Sequence, residues 1–252
     1  MVKGLEIFRN HFAYHKDAYI LIGGTACDLA MTDFGIEFRA TRDLDIVLSM
    51  EVLDESFGEV FWEFIQSGGY EIKEQDTTQR CFYRFRRPSN KEYPAELELF
   101  SRVPDTLIIS DDSTLTPIPM GDDVSSLSAI LLDDDYYDWI HQGKIEIEGI
   151  STIGAAHLIP LKAKAWLDLR ERNQSGDHVD SRKINKHKND VFRLLSIIDP
   201  ENSFELTESI YSDMSLYIDL VQNEQVDLKS LGLGKLTMAD AIETTKKLYR
   251  FG

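Results

Sequence analysis

The sequence predicts an α/β (α+β) architecture: a mixed sheet with helices in its N-terminal part, then a bundle of helices. Three observations carry that expectation. Residues 42–48 and 95–100 alternate polar and apolar side chains, as half-buried strands do. Residues 19–22 form a short apolar run closed by Gly23-Gly24, which reads as a buried strand. After Ala155 the period changes. Leu158, Leu161, Ala165 and Leu169 recur at helical spacing, as do Val191, Leu194, Leu195 and Ile198, and then Ile210, Met214, Tyr217 and Val221. The boundary is therefore drawn near residue 155, giving parts over 1–155 and 156–252.

Taken in order, Leu5, Phe8, Phe12 and Tyr14 predict a first helix over residues 5–15. The strand over 19–22 runs into a tight turn. A helix follows over 25–31, with Thr25 or Asp28 available to its free N–H groups. Phe57, Val60, Phe61, Phe64 and Ile65 predict a helix over 52–67. Strands over 81–87 and 95–100 flank Pro88-Ser89-Asn90-Lys91, a hairpin connection. Residues 125–132, 135–141 and 144–150 read as strand, short helix, strand. The last helix, over 238–249, opens on a capping-box pair, Thr237 and Asp240.

Composition narrows the classes. The chain has 252 residues, 42% hydrophobic, with a net charge of -17. That hydrophobic share excludes a disordered or fibrous chain and supplies a sizeable core. No run of about eighteen apolar residues is present, so no membrane span is expected. The start lacks an apolar h-region, which argues against a signal peptide. Cys27 and Cys81 make no disulfide framework or cysteine zinc site, and the six histidines have no zinc spacing. A cytoplasmic location is expected. The acidity disfavours non-specific wrapping of nucleic acid or an anionic membrane, but a local basic patch could still bind phosphate.

Chemistry concentrates at Asp43 and Asp45. On a strand, positions i and i+2 share a face, roughly 6–7 Å apart at about 3.3 Å rise per residue. Two carboxylates so placed can hold a divalent cation together with substrate phosphates. Upstream, Gly23-Gly24-Thr25 joins a strand to a helix; glycines admit a phosphate, and the following N–H groups and helix dipole favour an anion. Downstream, Glu96 and Glu98 share one strand face and Leu97 and Leu99 the other. A third carboxylate on a neighbouring strand would complete a two-metal site. Taken singly, each feature also suits an acidic surface strand, an ordinary strand–helix turn, or an amphipathic edge strand.

In this order the motifs resemble the DNA polymerase β-like nucleotidyltransferase superfamily: Gly23-Gly24-Thr25, then Arg39-Ala40-Thr41-Arg42-Asp43-Leu44-Asp45-Ile46, then a carboxylate strand. Within it the chain is most similar to the AbiEii-type toxins of bacterial toxin–antitoxin systems, over roughly the first 200 residues. Leu161-Lys162-Ala163-Lys164-Ala165-Trp166-Leu167-Asp168-Leu169-Arg170 and residues 180–194 resemble their helical region. The resemblance implies a nucleotidyltransferase domain over 1–155 and a helical domain over 156–252. It implies that Gly23, Gly24 and Thr25 cradle a nucleoside triphosphate, with Arg39 and Thr41 beside it. Asp43 and Asp45 would bind two Mg²⁺ ions with Glu98 as third ligand and Glu96 as alternative; the commonest pattern has Asp there. Lys164, chosen over Lys162, would reach the triphosphate. Lys186, His187 and Asp190 resemble the second helical motif, and Lys186 and Asp190 can share a face at i, i+4.

Nine cations lie between Lys162 and Arg193, where acids are sparser, and they suggest contact with a triphosphate or an RNA backbone. Lys183, Lys186 and Lys188 are expected to form a continuous positive surface. Asp133-Asp134-Asp135 reads as a solvated face or a surface for a basic partner. Trp62, Trp139 and Trp166 read as packing residues. The implied activity is Mg²⁺-dependent transfer of a nucleoside monophosphate from NTP to an acceptor hydroxyl. The resemblance makes the acceptor tRNA, the protein a growth-inhibiting toxin, and a cognate antitoxin a partner. A small-molecule (antibiotic) nucleotidyltransferase and a catalytically silent nucleotide- or partner-binding protein are the alternatives.

Overall fold

The computed structural model describes residues 2–49, 55–71, 82–100 and 133–251. Among them are six strands: β1 Tyr19–Ile22, β2 Asp43–Leu48, β3 Phe82–Arg86, β4 Glu96–Phe100, β5 Lys144–Ile147 and β6 Ile150–Ile153. The helices are α1 Leu5–His11, α2 Gly23–Asp33, α3 Glu55–Gly68, α4 Asp134–Gln142, α5 Ala155–Gln174, α6 Ser181–Leu195, α7 Glu208–Val221 and α8 Met238–Leu248. The strands form one mixed sheet in the order β3-β4-β2-β1-β6-β5. β1 runs antiparallel to β2 and parallel to β6, and β2 runs parallel to β4.

The two-residue period of β2 sorts its side chains between two cores. Leu44, Ile46 and Leu48 join Leu97 and Leu99 in one cluster, with Phe8 of α1, Phe12 just after it, and Phe57, Phe61 and Phe64 of α3. Ring centroids of Phe12 and Phe64 are 5.3 Å apart. Asp43, Asp45 and Val47 take the opposite face, in register with Glu96, Glu98 and Phe100 of β4. Val47 and Phe100 belong to the second cluster, which includes Ile20 and Ile22 of β1 and Trp166, Phe192 and Met214 of α5, α6 and α7. One sheet face is thus apolar where helices cover it and acidic at one end. The expected boundary near 155 falls at Gly154, which caps α5, and the second cluster runs across it.

Helix α5 carries Pro160, which has no N–H to donate to the Ala156 carbonyl. The buried Tyr249 hydroxyl donates to that carbonyl instead, at 2.5 Å, and so ties the end of α8 to α5. Thr237 and Asp240 form the expected capping box of α8.

Several expectations are corrected. Residues 144–150 are not one strand: β5 and β6 form a hairpin, with Glu148 (φ 50°) and Gly149 (φ 81°) in the left-handed region. The Glu-Gly pair between alternating segments was the available signal. The first helix ends at His11, four residues early, and leaves Tyr14 almost wholly exposed. α2 begins at Gly23, two residues before the expected start, and Gly23 (φ 70°) makes the expected tight turn out of β1. The expected strand over 125–132 and Cys81 lie outside the described residues. Asp133 caps α4, accepting from the Asp135 N–H at 2.9 Å. Among the described residues, no helix is long and apolar enough to cross a membrane.

Candidate active site

The site is built where β1 meets α2. Ile22 pairs with Asp45 across the antiparallel register, and the next residue, Gly23, has φ 70°. A Cβ on Gly23 would overlap the Asp45 carboxylate, so only glycine lets this backbone lie against it. A Cβ on Gly24 would stand 2.7 Å from Thr41 Oγ1. Ile22 at the N-cap gives α2 no side-chain acceptor, which leaves its first N–H groups for solvent or an anion. The Thr25 hydroxyl, expected to face a phosphate, donates instead to the Asp43 carbonyl at 2.8 Å and fixes the start of β2 against α2.

Asp43 is exposed at the mouth of β2, while Asp45 is buried. Asp43 pairs in register with Glu96, and Asp45 with Glu98. The crowding raises proton affinity. Burial and then the Glu98 charge push Asp45 up to about 7. Burial and then Glu96 push Asp43 upward from the usual carboxylate value. The glutamates themselves are held by β3. Arg84 pairs with Glu98 at 2.6 Å and lies 3.0 Å from Glu96, and Arg86 Nε donates to Glu96 at 2.8 Å. Among the described residues, no group of three or more His, Cys, Asp or Glu side chains is gathered to hold a metal ion. Glu98, the expected third ligand, and Glu96, its alternative, each face Arg84 in this structure. The remaining donors fit one hard divalent cation: Asp43 and Asp45 are carboxylates on one strand face whose like-charge crowding a cation would relieve.

Opposite these acids lies a cationic cluster. Asp190 of α6 is wholly buried and accepts from Arg39 Nε at 3.0 Å and Nη2 at 2.6 Å. Arg193 Nη1 lies 3.3 Å away and the buried Lys162 Nζ 3.9 Å away. Lys186 joins the group. Burial and then the charges of Arg39 and Lys162 lower its proton affinity, while Asp190 and Asp45 act the other way. Burial and then Lys162 hold His187 well below the ordinary imidazole value. Four cations thus surround Asp190, and two of them, Lys162 and Lys186, also act on Asp45, a local concentration of positive charge in an acidic chain.

The structure brings together Gly23, Gly24, Thr25, Arg39, Thr41, Asp43, Asp45, Glu96, Glu98, Lys186 and Asp190. It separates Lys164 from them: Lys164 Nζ bonds Asp213 of α7 at 2.7 Å. Residues two apart on a helix point about 200° away from each other, so one of Lys162 and Lys164 can face the site, and it is Lys162. Its signal was its place in a buried stripe, four residues from both Leu158 and Trp166. Arg84 was missed, because its partners come from another strand, and Arg193 was counted among the nine cations without a partner assigned, because the facing of its helix turn was unknown. The expected continuous positive surface is not formed either. Lys188 is buried and bonds Glu224 at 2.7 Å; Arg170 pairs with the same carboxylate.

No family model and no curated protein matches this chain. Among solved structures, an antigenic nucleotidyltransferase-like protein from Paracoccidioides brasiliensis aligns with 90% of this chain and 91% of its own, at 17% identity and a TM-score of 0.41. The Megavirus polyadenylate synthase aligns with 87% of this chain and 36% of its own, at 14% identity and a TM-score of 0.39. At these scores the likenesses carry no chemistry to this chain, and the reading of the site rests on its own side chains.

Proposed function

We propose that the protein is a metal-dependent nucleotidyltransferase, which moves a nucleoside monophosphate from a triphosphate to an acceptor hydroxyl. The observation that carries the proposal is one juxtaposition. A strand face bearing Asp43 and Asp45 stands beside the Gly23-Gly24 backbone, with the excess cations Arg39, Lys162, Lys186 and Arg193 opposite. Acids that could hold a cation and bases that could hold a polyphosphate meet at one cleft, which is what phosphoryl chemistry needs. A divalent cation held by Asp43 and Asp45 would lower the pKa of the acceptor hydroxyl and neutralise charge on the departing pyrophosphate.

The chain's own groups bind and orient. The first N–H groups of α2 and the Lys186 side chain hold the triphosphate, and the buried Lys162 adds its charge from behind them. Asp190 fixes the Arg39 guanidinium beside Gly24. The acceptor oxygen bonds the α-phosphorus as the bond to pyrophosphate breaks, and the acceptor proton leaves to solvent. By resemblance, the acceptor would be tRNA and the protein a toxin with an antitoxin partner. The reading with a small-molecule acceptor has a specific observation in its favour, since Lys188 and Arg170 are engaged by Glu224 rather than offered to a polynucleotide.

The test is incubation of the purified protein with Mg²⁺, each labelled triphosphate in turn, and either total tRNA or a small-molecule panel. Label on RNA supports the toxin reading, and label on a small molecule supports the other. Failure to bind any triphosphate would overturn nucleotidyl transfer altogether.

A further inference from the structure

A cavity of about 390 Å³ opens where β3 ends and β4 begins, lined by residues that include Lys3, Arg86, Arg87, Lys91, Tyr93 and Glu96. Four cations meet one carboxylate there, in a chain of net charge -17. They come from three places: the segment before α1, the end of β3, and the connection from β3 to β4. Among the described residues, one of the four is closely paired, since Arg86 Nε donates to Glu96 at 2.8 Å. Arg87 Nη1 stands 3.6 Å from Glu71, and both side chains are more than half exposed. Lys91 Nζ donates to the uncharged Pro88 carbonyl, and Lys3 has no hydrogen bond or ion pair with another described residue.

The connection that carries these cations is tied to the end of α3. The Ser89 and Asn90 N–H groups donate to the Gly69 and Gly68 carbonyls at 2.9 and 3.1 Å. The Tyr70 hydroxyl donates to the Pro94 carbonyl at 2.7 Å. Arg87 holds φ 53°, a conformation that a residue with a side chain adopts reluctantly. Backbone fixed in this way spares a ligand much of the cost of ordering the side chains that bind it. Tyr93, with its ring centroid 4.9 Å from that of Phe64, gives the cavity an aromatic wall.

The cavity also stands beside the acids. Arg86 pairs in register with Glu96, and Glu96 with Asp43. A group held by Arg86 is therefore two strands from Asp43, roughly 10 Å at about 4.8 Å between strands. Gly23 follows β1, on the opposite side of β2.

We propose that this cavity binds a small molecule by a phosphate monoester group, and that a hydroxyl of the same molecule, reaching toward Asp43, is the acceptor. As an acceptor site it rests on the nucleotidyl-transfer reading; as a phosphate site it does not. A phosphate monoester carries nearly two negative charges near neutral pH and offers three oxygens to the four cations, and guanidinium forks match its geometry. In the transfer, the hydroxyl oxygen bonds the α-phosphorus as pyrophosphate leaves, its proton passes to solvent, and the monoester is unchanged. A polynucleotide is disfavoured, because these cations end at one cavity with the exposed Glu71 and Glu92 beside them, while Lys188 and Arg170 are engaged by Glu224.

The test begins with calorimetry without nucleotide or Mg²⁺, comparing glucose 6-phosphate with glucose at a pH that keeps the ester dianionic. The wild type should bind the phosphorylated sugar about tenfold more tightly or better. The double variant Lys3→Gln/Lys91→Gln, at two exposed side chains, should lose that preference with its thermal unfolding unchanged. Should the double variant melt lower, Lys3→Gln alone gives the same reading, because that side chain bonds no described residue. Lys186→Ala, at the triphosphate cradle, should keep the preference. Equal affinities would overturn the proposal. So would a preference kept by the double variant and lost in Lys186→Ala, because the phosphate would then sit in the cradle. Single-stranded RNA that binds more weakly to the double variant, with no binding of glucose 6-phosphate, would give the cavity to a polynucleotide and overturn the small-molecule reading. The second arm adds Mg²⁺ and a labelled triphosphate. Label on glucose 6-phosphate but not on glucose supports the acceptor role. Label on tRNA with none on the sugar phosphate overturns that role and leaves nucleotidyl transfer standing. A phosphate preference without triphosphate binding sinks nucleotidyl transfer and retains the cavity as a phosphate site.

Discussion

Lys162 Nζ lies 3.9 Å from Asp190 Oδ2, and neither side chain is more than 2% exposed. Asp190 already takes a two-pronged bond from Arg39, so the lysine is poorly compensated in a place where an uncompensated charge is expensive. An anionic ligand would compensate it, and the amide N–H groups of α2 at Gly23-Gly24 lie on the same cleft.

Lys162→Ala should therefore weaken triphosphate binding by about tenfold or more, ~1.4 kcal/mol. Lys164→Ala should leave it unchanged and cost less than about 1 kcal/mol of stability, since its pair with Asp213 is partly solvated. Titration of both variants with a fluorescent nucleotide measures this. A larger loss in Lys164→Ala would reverse the assignment.

Asp190→Asn should destabilise the fold by about 3–5 kcal/mol, because it strands Arg39, Arg193 and Lys162 around a neutral group. Urea unfolding at neutral pH gives the difference. A loss under 1 kcal/mol, about the worth of an exposed pair, would mean that water already compensates these cations.

Gly23→Ala should lose transfer and about 1–3 kcal/mol of stability, since the new methyl meets the Asp45 carboxylate at a φ of 70°. Gly24→Ala should be milder, because the neighbour its methyl meets first is the Thr41 hydroxyl, a side-chain group that can turn aside. Thermal unfolding and label transfer on both variants rank them; equal losses would contradict the geometry.

Asp45→Asn should remove transfer yet stabilise the fold at pH 8 without divalent cations. Burial, followed by the Glu98 charge, raises Asp45 from 3.8 in the unfolded chain to about 7. The folded state thus binds more protons between those values, and wild-type stability falls as pH rises through that window. The asparagine variant lacks that loss. Unfolding curves at pH 5 and pH 8 decide it, and a variant less stable than wild type at pH 8 would refute the expectation.

The half-buried His157 gives the opposite slope. Its ring lies 4.3 Å from that of Trp139 and 5.0 Å from that of Phe204, and burial lowers its pKa from 6.5 to about 4. The unfolded chain takes up a proton first as pH falls through 6.5, so stability should decline between about pH 6.5 and pH 4. His157→Leu should flatten that part of the stability–pH curve, and an unchanged slope would assign it to other groups.

Much of the fold was legible because its signals are local. The alternation at β2 and β4, the apolar run of β1 and the helical stripes of α5, α6 and α7 are periods of two or 3.6 residues, fixed by backbone geometry. The same period put Asp43 and Asp45 on one face and Glu96 and Glu98 on another strand's face. The β5–β6 hairpin was missed because Ile147 to Ile150 reads as one run unless the Glu148-Gly149 turn is recognised.

Tertiary structure decided what periods do not contain: which neighbour each charged group meets. Sequence supplied both Lys162 and Lys164, but the rotation of α5 against the sheet and α7 sent one to Asp190 and the other to Asp213. It supplied Glu98, but the register of β3 put Arg84 beside it. It supplied Lys188 among nine cations, but the chain following α7 brought Glu224 to it. Ion pairing depends on distance and desolvation between elements far apart in the chain, so composition and spacing set the inventory and packing set the partners.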